Sequence, residues 1–256
     1  MTLNLHYFPH GDSMIHRLDP RWKLAAIVLG VIGFALLRTL PAAAAALCLA
    51  TALVLLSRLP LRWYVTRVAA VGIFIGLFAL AMPFTVPGPD EWRLGPVTIY
   101  LEGVLLGLRL LAKTVAILTL MLVLLATTRL EETFKAAHSL RTPGLLVQLA
   151  MLTVRYTFLF GSELARMRVA LRVRGYRNRA SRHSYRTVGH VAGTLLVRGY
   201  ERAERVGQAM CCRGFDGRFR SVTEFRTGVR DVIFFMLLFS ATAGLVAWDW
   251  FPRLVE

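Results

Sequence analysis

Cysteine, acidic side chains and nucleotide-binding motifs are scarce or missing in this sequence. Only three of its 256 residues are cysteines, Cys48 alone and Cys211 beside Cys212. This arrangement offers neither a disulfide framework nor metal-ligand spacing, so it favours reduced thiols on the cytosolic side. The phosphate-binding motif G-x-x-x-x-G-K-[ST] does not occur, and acidic residues number 15 against 31 lysines and arginines. These absences argue against a disulfide-linked secreted domain and against nucleotide hydrolysis by this chain.

Long apolar runs dominate what is present. Hydrophobic residues make up 56% of the chain although its net charge is +16. A soluble domain of this size would not hide so much apolar surface, whereas a membrane protein with one basic region can carry both. The runs predict an all-α membrane protein with about five membrane-spanning helices. These are Leu24–Leu37 and Ala42–Leu56, which are short and form a membrane hairpin, and Val68–Pro89, Val104–Thr128 and Val232–Trp248.

The basic residues indicate which side of the membrane each segment faces. Residues 129–230 contain 20 lysines and arginines and seven acidic residues, which accounts for +13 of the net charge. If the apolar stretch Leu145–Leu164 crossed the membrane, this block would be split between the two sides. We therefore expect that stretch, which contains Gln148 and Arg155, to lie along the membrane as an amphipathic helix. The N-terminus and residues 129–230 are then cytoplasmic, and the loop Pro87–Tyr100 and the C-terminus lie outside.

The predicted spans and the basic block divide the chain into three predicted domains. Residues 1–128 hold the N-terminal segment and four membrane helices, residues 129–230 form a cytoplasmic module of three helices, and residues 231–256 hold the last membrane helix. In the module, Thr128–Glu131 has the S/T-x-x-E form of a capping box, which predicts a first short helix at Arg129–Leu140.

The other two helices of the module are predicted to be long. Proline favours the first position of a helix and glycine favours the position just after its end. We predict one helix from Pro143, with Thr142 as its cap, to Gly175, a polar loop at Asn178–Ser184, and the next helix from Arg186 or Thr187 to Gly214. Both long helices therefore stop at the sequence Arg-Gly-aromatic.

One motif is written twice at these two helix ends. The stretch ALRVRGY begins at Ala170 and AMCCRGF begins at Ala209, so the form A-x-x-x-R-G-aromatic recurs after 39 residues. A glycine after a helix supplies the left-handed residue of a C-cap, and an arginine in the last turn complements the negative end of the helix dipole. Local physics alone therefore explains both copies as helix stops at Gly175 and Gly214.

A second interpretation gives the two arginines a partner. Each arginine ends an apolar stripe on its helix by i, i+3, i+4, i+7 spacing. The stripes are Met167, Ala170 and Leu171 before Arg174, and Val206, Ala209 and Met210 before Arg213. A guanidinium in that place can pair with a carboxylate of a protein docked on the stripe. Two such ends predict two equivalent docking sites, which suits a homodimeric or pseudo-twofold partner.

Further residues along the chain complete a recognisable pattern. They are Gly11–Ser13, His16–Arg21, Lys23–Leu24, Pro83–Phe84, Pro87–Gly88, Glu102–Gly103, Gly107–Arg109, Pro143, Arg155–Tyr156 and Glu163–Met167. With the duplicated R-G motif, the sequence resembles the transmembrane T component (EcfT) of energy-coupling-factor (ECF) transporters, and looks most like their cobalt/nickel branch, CbiQ. The duplicated motif at this spacing is the specific part of the resemblance.

The resemblance implies a non-catalytic subunit that couples ATP hydrolysis by other proteins to import. In that family the motifs are Ala-Arg-Gly, and their arginines dock into two cytoplasmic ABC-type ATPase subunits. The implied docking residues are Ala170, Arg174, Gly175, Ala209, Arg213 and Gly214, with Val173 and Cys212 standing where the family has alanine. A separate substrate-binding (S) subunit of the cobalt/nickel type would hold the metal ion. ATP and magnesium would bind the ATPases, so no cofactor and no metal site is expected on this chain, which would reside in a bacterial or archaeal plasma membrane.

Other interpretations of the charged and histidine residues stay open at this point. The arginine-rich segment Arg166–Arg186 would suit a membrane-anchored protein that binds nucleic acid or anionic lipid. Ligation of a metal by His6, His10 and His16 would suit a membrane enzyme, although Pro9 argues against a helix there. We favour the coupling subunit, with no nucleic-acid partner.

Two cations lie inside an apolar run. Arg109 and Lys113 are one turn apart in the fourth predicted span. Such charges face a partner or the bundle interior, or snorkel to the interface when they are near a helix end. We expect Arg109 and Lys113 to snorkel or to contact the substrate-binding subunit.

Overall fold

Helices make up almost all of the structure. A computed structural model describes residues 13, 15–16, 18–87, 91–94, 97–140, 142–215 and 227–254. The described residues form eight helices and one short hairpin, which confirms the predicted all-α class. The helices are α1 (Pro20–Leu36), α2 (Leu40–Ser57), α3 (Leu61–Thr85), α4 (Leu101–Thr127), α5 (Leu130–Ser139), α6 (Gly144–Val173), α7 (Arg182–Cys212) and α8 (Val229–Leu254), and the strands are β1 (Glu91–Leu94) and β2 (Val97–Tyr100).

Five helices among the described residues are long and apolar enough to cross a membrane, namely α2, α3, α4, α6 and α8. The number of candidate spans agrees with the prediction, but two helices differ. Helix α1 was predicted to span and does not meet the criterion, whereas α6 was not predicted to span and does. Helix α1 has 17 residues, which is about 26 Å at 1.5 Å per residue and short for a crossing. Helix α6 meets the criterion by length and composition, so its expected position along the membrane surface stays a prediction.

The chain forms two compact units. One contains the described residues between 13 and 137 and between 227 and 254, and the other contains the described residues between 138 and 215. The division falls near the end of α5, whereas the sequence predicts a domain boundary after residue 128.

The core of the first unit lies between α1, α2, α4 and α8. Helix α2 contributes three almost fully buried alanines at four-residue spacing, Ala42, Ala46 and Ala50. Small side chains at this spacing let two membrane helices approach closely. Larger buried side chains fill the remaining space, namely Ile27 and Phe34 of α1, Leu120 of α4 and Leu238 of α8.

Helix α3 packs against α4 through two glycines. A Cβ on Gly107 would lie 2.6 Å from the carbonyl oxygen of Ala79, and a Cβ on Gly103 would lie 2.6 Å from that of Met82. Pro83 inside α3 has no N–H to donate to the Ala79 carbonyl. The Gly107 Cα therefore approaches a carbonyl that the helix itself leaves without its usual donor. No residue of α3, which is described throughout, is buried.

The segment predicted as the loop Pro87–Tyr100 contains regular structure. Strands β1 and β2 pair antiparallel, with Glu91 opposite Tyr100 and Leu94 opposite Val97. Residues 88–90 and 95–96 lie outside the described residues. The sequence prediction missed this hairpin because two four-residue strands give too little alternation to recognise.

The second unit contains the two long helices. Helix α6 begins at Gly144, with Pro143 at the N-cap position and no side-chain cap bond, so the prediction of Thr142 as cap was wrong by one residue. Helix α7 begins at Arg182, inside the stretch predicted as a loop to Ser184. The Ser181 side chain accepts a hydrogen bond from the Ser184 N–H and so starts α7 earlier than predicted. The short helix α5 agrees with its prediction to within one residue at each end.

Candidate partner-docking site

Both R-G copies end their helices with the same backbone geometry. At the end of α6, Gly175 has a φ of 77°. The Tyr176 N–H donates to the Leu171 carbonyl at 3.0 Å and the Gly175 N–H donates to the Arg172 carbonyl at 3.0 Å. This pair of bonds defines a Schellman motif, in which the residue at positive φ closes the helix.

The end of α7 repeats this arrangement. Gly214 has a φ of 73°, the Phe215 N–H donates to the Met210 carbonyl at 3.1 Å, and the Gly214 N–H donates to the Cys211 carbonyl at 3.0 Å. A Cβ on either glycine would meet nothing within 4 Å. The glycines are therefore needed for their backbone conformation, which confirms the helix-stop interpretation of the motif.

The arginine of each motif occupies the C-cap position and is exposed. Among the residues that the structure describes, neither Arg174 nor Arg213 forms a side-chain hydrogen bond or an ion pair. By contrast, Arg198 of α7 pairs with the buried carboxylate of Glu163 on α6. The fold therefore uses Arg198 but leaves both motif arginines available to another molecule.

The apolar stripes beside these arginines are partly covered within the module. Met167, Leu171, Val206 and Met210 are half-buried, whereas Ala170 and Ala209 are exposed. At the two positions that depart from the family motif, Val173 is 84% exposed and Cys212 is also exposed. Both side chains therefore change the surface next to the arginine without changing the packing of the helices.

Contacts along the two long helices show that they run antiparallel. The Gln148 side-chain nitrogen lies 3.9 Å from the Met210 sulfur. Near the other end, the Tyr176 hydroxyl donates to the Ser184 carbonyl at 3.4 Å. Between them, Glu163 pairs with Arg198, and a Cβ on Gly199 would lie 3.1 Å from the Phe160 ring.

The antiparallel order puts the two motifs at opposite ends of the helix pair. Helix α6 has 30 residues, so Arg174 and Arg213 are about 45 Å apart at 1.5 Å per residue. An antiparallel pair has a local twofold axis that exchanges the carboxyl ends of its helices. The two arginine tips, which we define as residues 170–176 and 209–215, are therefore equivalent by this axis.

Comparison with known families decides the identity. A family model described as CbiQ, cobalt transport protein, matches residues 11–224 of this chain. The chain belongs to the CbiQ family. The match covers the first unit up to α5 and both arginine tips, so the predicted resemblance is confirmed.

Curated relatives match about as much of the chain as the family model does. The nickel permease LarQ of Lactiplantibacillus plantarum is 28% identical over 219 residues, which cover 85% of this chain and 73% of LarQ. EcfT of Heliobacterium modesticaldum is 29% identical over 226 residues, covering 82% of this chain and 84% of that protein. The cobalt transport protein CbiQ of Rhodobacter capsulatus is 29% identical over 193 residues, 75% of each chain. This CbiQ-family chain is thus a transporter T component of the EcfT/CbiQ type and a multi-pass membrane protein.

Two other cations of this CbiQ-family chain form hydrogen bonds with backbone carbonyls of its first unit. An Arg109 guanidinium nitrogen donates to the carbonyl of Arg38, and Lys113 Nζ donates to the carbonyl of Leu37 at 3.1 Å. These carbonyls follow the end of α1, where positive charge is favoured. The expected contact of Arg109 and Lys113 with a substrate-binding subunit stays a prediction.

A buried cation lies at the other end of the bundle, where the sequence analysis predicted no site. Lys23 is 1% exposed, and its Nζ donates to the Thr127 carbonyl and to the Thr128 hydroxyl, each at 3.3 Å. Burial lowers the pKa of Lys23 to about 8, an effect partly offset by the charges of Glu132, Asp231 and Asp19. A lysine in the first turn of a helix gives no sequence signal that its amine is enclosed by the end of α4.

No group of three or more histidine, cysteine or acidic side chains in the described part of the chain has the arrangement of a metal site. His6 and His10 lie outside the described residues. The expectations that this chain holds no metal and that ATP and magnesium bind its partners stay predictions.

Proposed function

We propose that this chain is the energy-coupling membrane subunit of an ECF-type importer for cobalt or nickel ions. In this role it links two cytoplasmic ABC-type ATPase subunits to a substrate-binding membrane subunit and catalyses no reaction itself. The observation that carries the proposal is the pair of equivalent arginine tips, each with an exposed guanidinium that the described fold does not use. Two tips related by a local twofold axis match a partner made of two like subunits.

The antiparallel helix pair supports a mechanical route from the ATPases to the membrane. When ATP brings the two ATPases together, the grooves that hold the arginine tips move toward each other. Since the tips are at opposite ends of one helix pair, this motion must tilt α6 and α7 or change their crossing. The Glu163–Arg198 ion pair and the Phe160–Gly199 contact lie between the tips and would act as the pivot.

An apolar surface on α7 supports contact with the substrate-binding subunit. Tyr185, Val188, Leu196 and Tyr200 are all more than half exposed. At 100° per residue they lie within about one third of the helix circumference. A surface of this kind on a helix suits a membrane-embedded protein partner.

The proposed metal substrate rests on the relatives. LarQ carries the name of a nickel permease and the Rhodobacter capsulatus relative that of a cobalt transport protein. A coupling subunit does not contact the transported ion in this scheme, so its own residues do not choose between cobalt and nickel. Uptake of radioactive cobalt and nickel by cells that express the complete transporter makes that choice.

The docking role is tested by Arg174→Ala and Arg213→Ala in the complete complex. Loss of one member of a buried, hydrogen-bonded charge pair costs about 2–5 kcal/mol of binding. We expect each variant to lower the amount of ATPase that co-purifies with the chain, and the double variant to abolish metal uptake. Lysine at these positions should restore function only in part, because it lacks the planar guanidinium.

Arg177→Ala and Arg205→Ala are the matched controls, since both remove an exposed arginine from the same module. They should retain ATPase binding and uptake. If the double Arg174→Ala, Arg213→Ala variant still binds the ATPases and transports metal at the wild-type rate, the docking role is wrong. If Arg177→Ala is as damaging as Arg174→Ala, the module binds through its total charge instead.

A further inference from the structure

Three cations converge on the corner between α1 and α2, at residues 37–39. Arg109 donates to the Arg38 carbonyl and Lys113 to the Leu37 carbonyl. The guanidinium of Arg38 itself lies over the Trp250 ring of α8, 4.7 Å from the ring centre. We call Arg38, Arg109 and Lys113 the corner cluster.

A carboxylate of α8 contacts the corner and binds its backbone. Asp249 accepts hydrogen bonds from the Arg38 N–H at 2.6 Å and from the Thr39 N–H at 3.0 Å. It also accepts one from the Thr39 hydroxyl. Asp249 therefore caps the start of α2 from a distant helix. Asp249 also interacts electrostatically with Lys113. Three cations against this one described carboxylate leave the corner cluster with excess positive charge.

Helix lengths put the corner cluster at a membrane interface. Arg109 precedes Thr127 by eighteen residues of α4, and Asp249 follows Asp231 by eighteen residues of α8. Each interval is about 27 Å, close to the roughly 30 Å thickness of the hydrocarbon layer. The corner cluster and Lys23 thus lie at opposite ends of the first unit. Trp250 beside the cluster is a residue type favoured at such interfaces.

We propose that the corner cluster binds the phosphate group of an anionic phospholipid at that interface. Arginine and lysine form charge-assisted hydrogen bonds with phosphate oxygens, and a guanidinium has five N–H donors. Only one of the Arg109 nitrogens is used by the Arg38 carbonyl, and no side-chain hydrogen bond of Arg38 occurs in the described part of the chain. A phosphate between them neutralises charge that would otherwise be costly at the edge of the hydrocarbon layer.

The lipid would also join three helices. The corner belongs to the α1–α2 connection, Arg109 and Lys113 belong to α4, and Trp250 belongs to α8. A headgroup held by Arg38 and Arg109 ties the end of α1 to α4 in addition to their direct hydrogen bond. We therefore expect anionic lipid to raise the thermal stability of the bundle.

The test is a lipid titration of the delipidated full-length chain in detergent, followed by native mass spectrometry and thermal unfolding. Phosphatidylglycerol should bind the wild-type chain about tenfold more tightly than phosphatidylcholine, because the choline cation of the latter is repelled by the corner cluster, and a tenfold difference corresponds to about 1.4 kcal/mol. Arg38→Gln should lose about tenfold in phosphatidylglycerol affinity. Its unfolding temperature without lipid should fall only slightly, since among the described residues its guanidinium contacts the Trp250 ring and donates no hydrogen bond.

A matched control and two further arms complete the test. Arg62→Gln removes an exposed arginine from α3, away from the corner, and should bind phosphatidylglycerol as the wild type does. The double variant Arg109→Gln, Lys113→Gln should bind it about a hundredfold more weakly. Equal affinity of Arg38→Gln and wild type overturns the proposal. Equal protection by millimolar inorganic phosphate also overturns it, because the ligand would then be free phosphate. So does cross-linking of residue 38 to the substrate-binding subunit in a complex that retains no phosphatidylglycerol.

Discussion

At the scale of single residues, the two tip arginines differ from Lys23 and Arg198, whose side chains bind groups within the fold. Lys23 is enclosed and donates two hydrogen bonds to the end of α4, and Arg198 neutralises a buried carboxylate. Arg174 and Arg213 occupy the C-cap positions, but the glycine that follows each of them is enough to end the helix. The proposed docking role rests on this repetition: an arginine stands at both helix ends, and neither has a side-chain partner among the described residues.

The tip glycines give the first residue-scale prediction. Gly175→Ala and Gly214→Ala force an L-residue to positive φ, which costs about 1 kcal/mol or more. We expect hydrogen exchange of the capped amides at positions 175–176 or 214–215 to become about fivefold faster. The matched control is Gly189→Ala in the middle of α7, where a Cβ has open space and should strengthen the helix instead. Unchanged exchange in both tip variants would contradict the Schellman geometry.

Lys23 gives a prediction of pH dependence. Its pKa falls from the usual 10.5 to about 8 on folding, because burial penalises the charged amine. Between about pH 8 and pH 10.5 the unfolded chain binds more protons than the folded one, so the stability of the wild type rises with pH in this window. Lys23→Met removes this titration. Unfolding temperatures measured from pH 7.5 to 10.5 should rise for wild type relative to Lys23→Met, and parallel curves would show that Lys23 titrates normally.

At the scale of helices, the α3–α4 contact depends on the absence of two side chains. Gly103 and Gly107 form a G-x-x-x-G pattern in α4 that presses against backbone atoms of α3. Pro83 in α3 and Gly107 in α4 meet at the same carbonyl, that of Ala79. The close contact therefore depends on two features: Pro83 has no N–H to donate to this carbonyl, and Gly107 has no side chain to block the approach.

Alanine at these glycines should separate the two helices. Gly107→Ala places a methyl group where backbone atoms of Ala79 already lie, and overpacking of this kind costs about 1–3 kcal/mol. We expect a lower unfolding temperature of the purified chain for Gly103→Ala and for Gly107→Ala. Gly72→Ala in α3, where a Cβ meets nothing within 4 Å, is the control and should not lower the unfolding temperature, since alanine favours the helix. A neutral Gly107→Ala would mean that α3 is not held at this distance.

Local signals in the sequence predicted the helix ends better than the helix starts. Gly175 and Gly214 ended α6 and α7 as expected, because positive φ is an intrinsic preference of glycine. The start of α7 was predicted four or five residues late, since the cap Ser181 sits in a polar stretch that resembles a loop. The Asp249 cap of α2 joins residues about 210 positions apart, and no local pattern predicts such a pair.

The sequence likewise predicts the local features of the candidate site but not those that depend on long-range contacts. The duplicated motif is enough to locate both tips, because its residues are contiguous in the chain. The antiparallel order of α6 and α7, and hence the twofold relation of the tips, depends on contacts such as Glu163 with Arg198 across 35 residues. Such contacts follow from tertiary packing, which the periodicity of either helix alone does not specify.

At the scale of the whole molecule, the chain contains a basic segment, residues 129–230, and an apolar helical bundle. Residues 129–230 hold +13 of the +16 net charge, and most of the candidate spans lie outside them. In the proposed function, tips about 45 Å apart bind two ATPases on one side, and the bundle remains in the membrane. The central claim is that both tips, and not only one, contact the ATPases.

Site-specific photo-cross-linking in the assembled transporter tests this claim most directly. A photoreactive amino acid replaces Val173 in one variant and Cys212 in another, since both side chains are exposed beside the tip arginines. Leu196, an exposed residue of α7 far from both tips, serves as the control position. We expect positions 173 and 212 each to cross-link to an ATPase subunit and position 196 not to do so. Cross-links to an ATPase from only one tip, or from neither, would contradict the central claim.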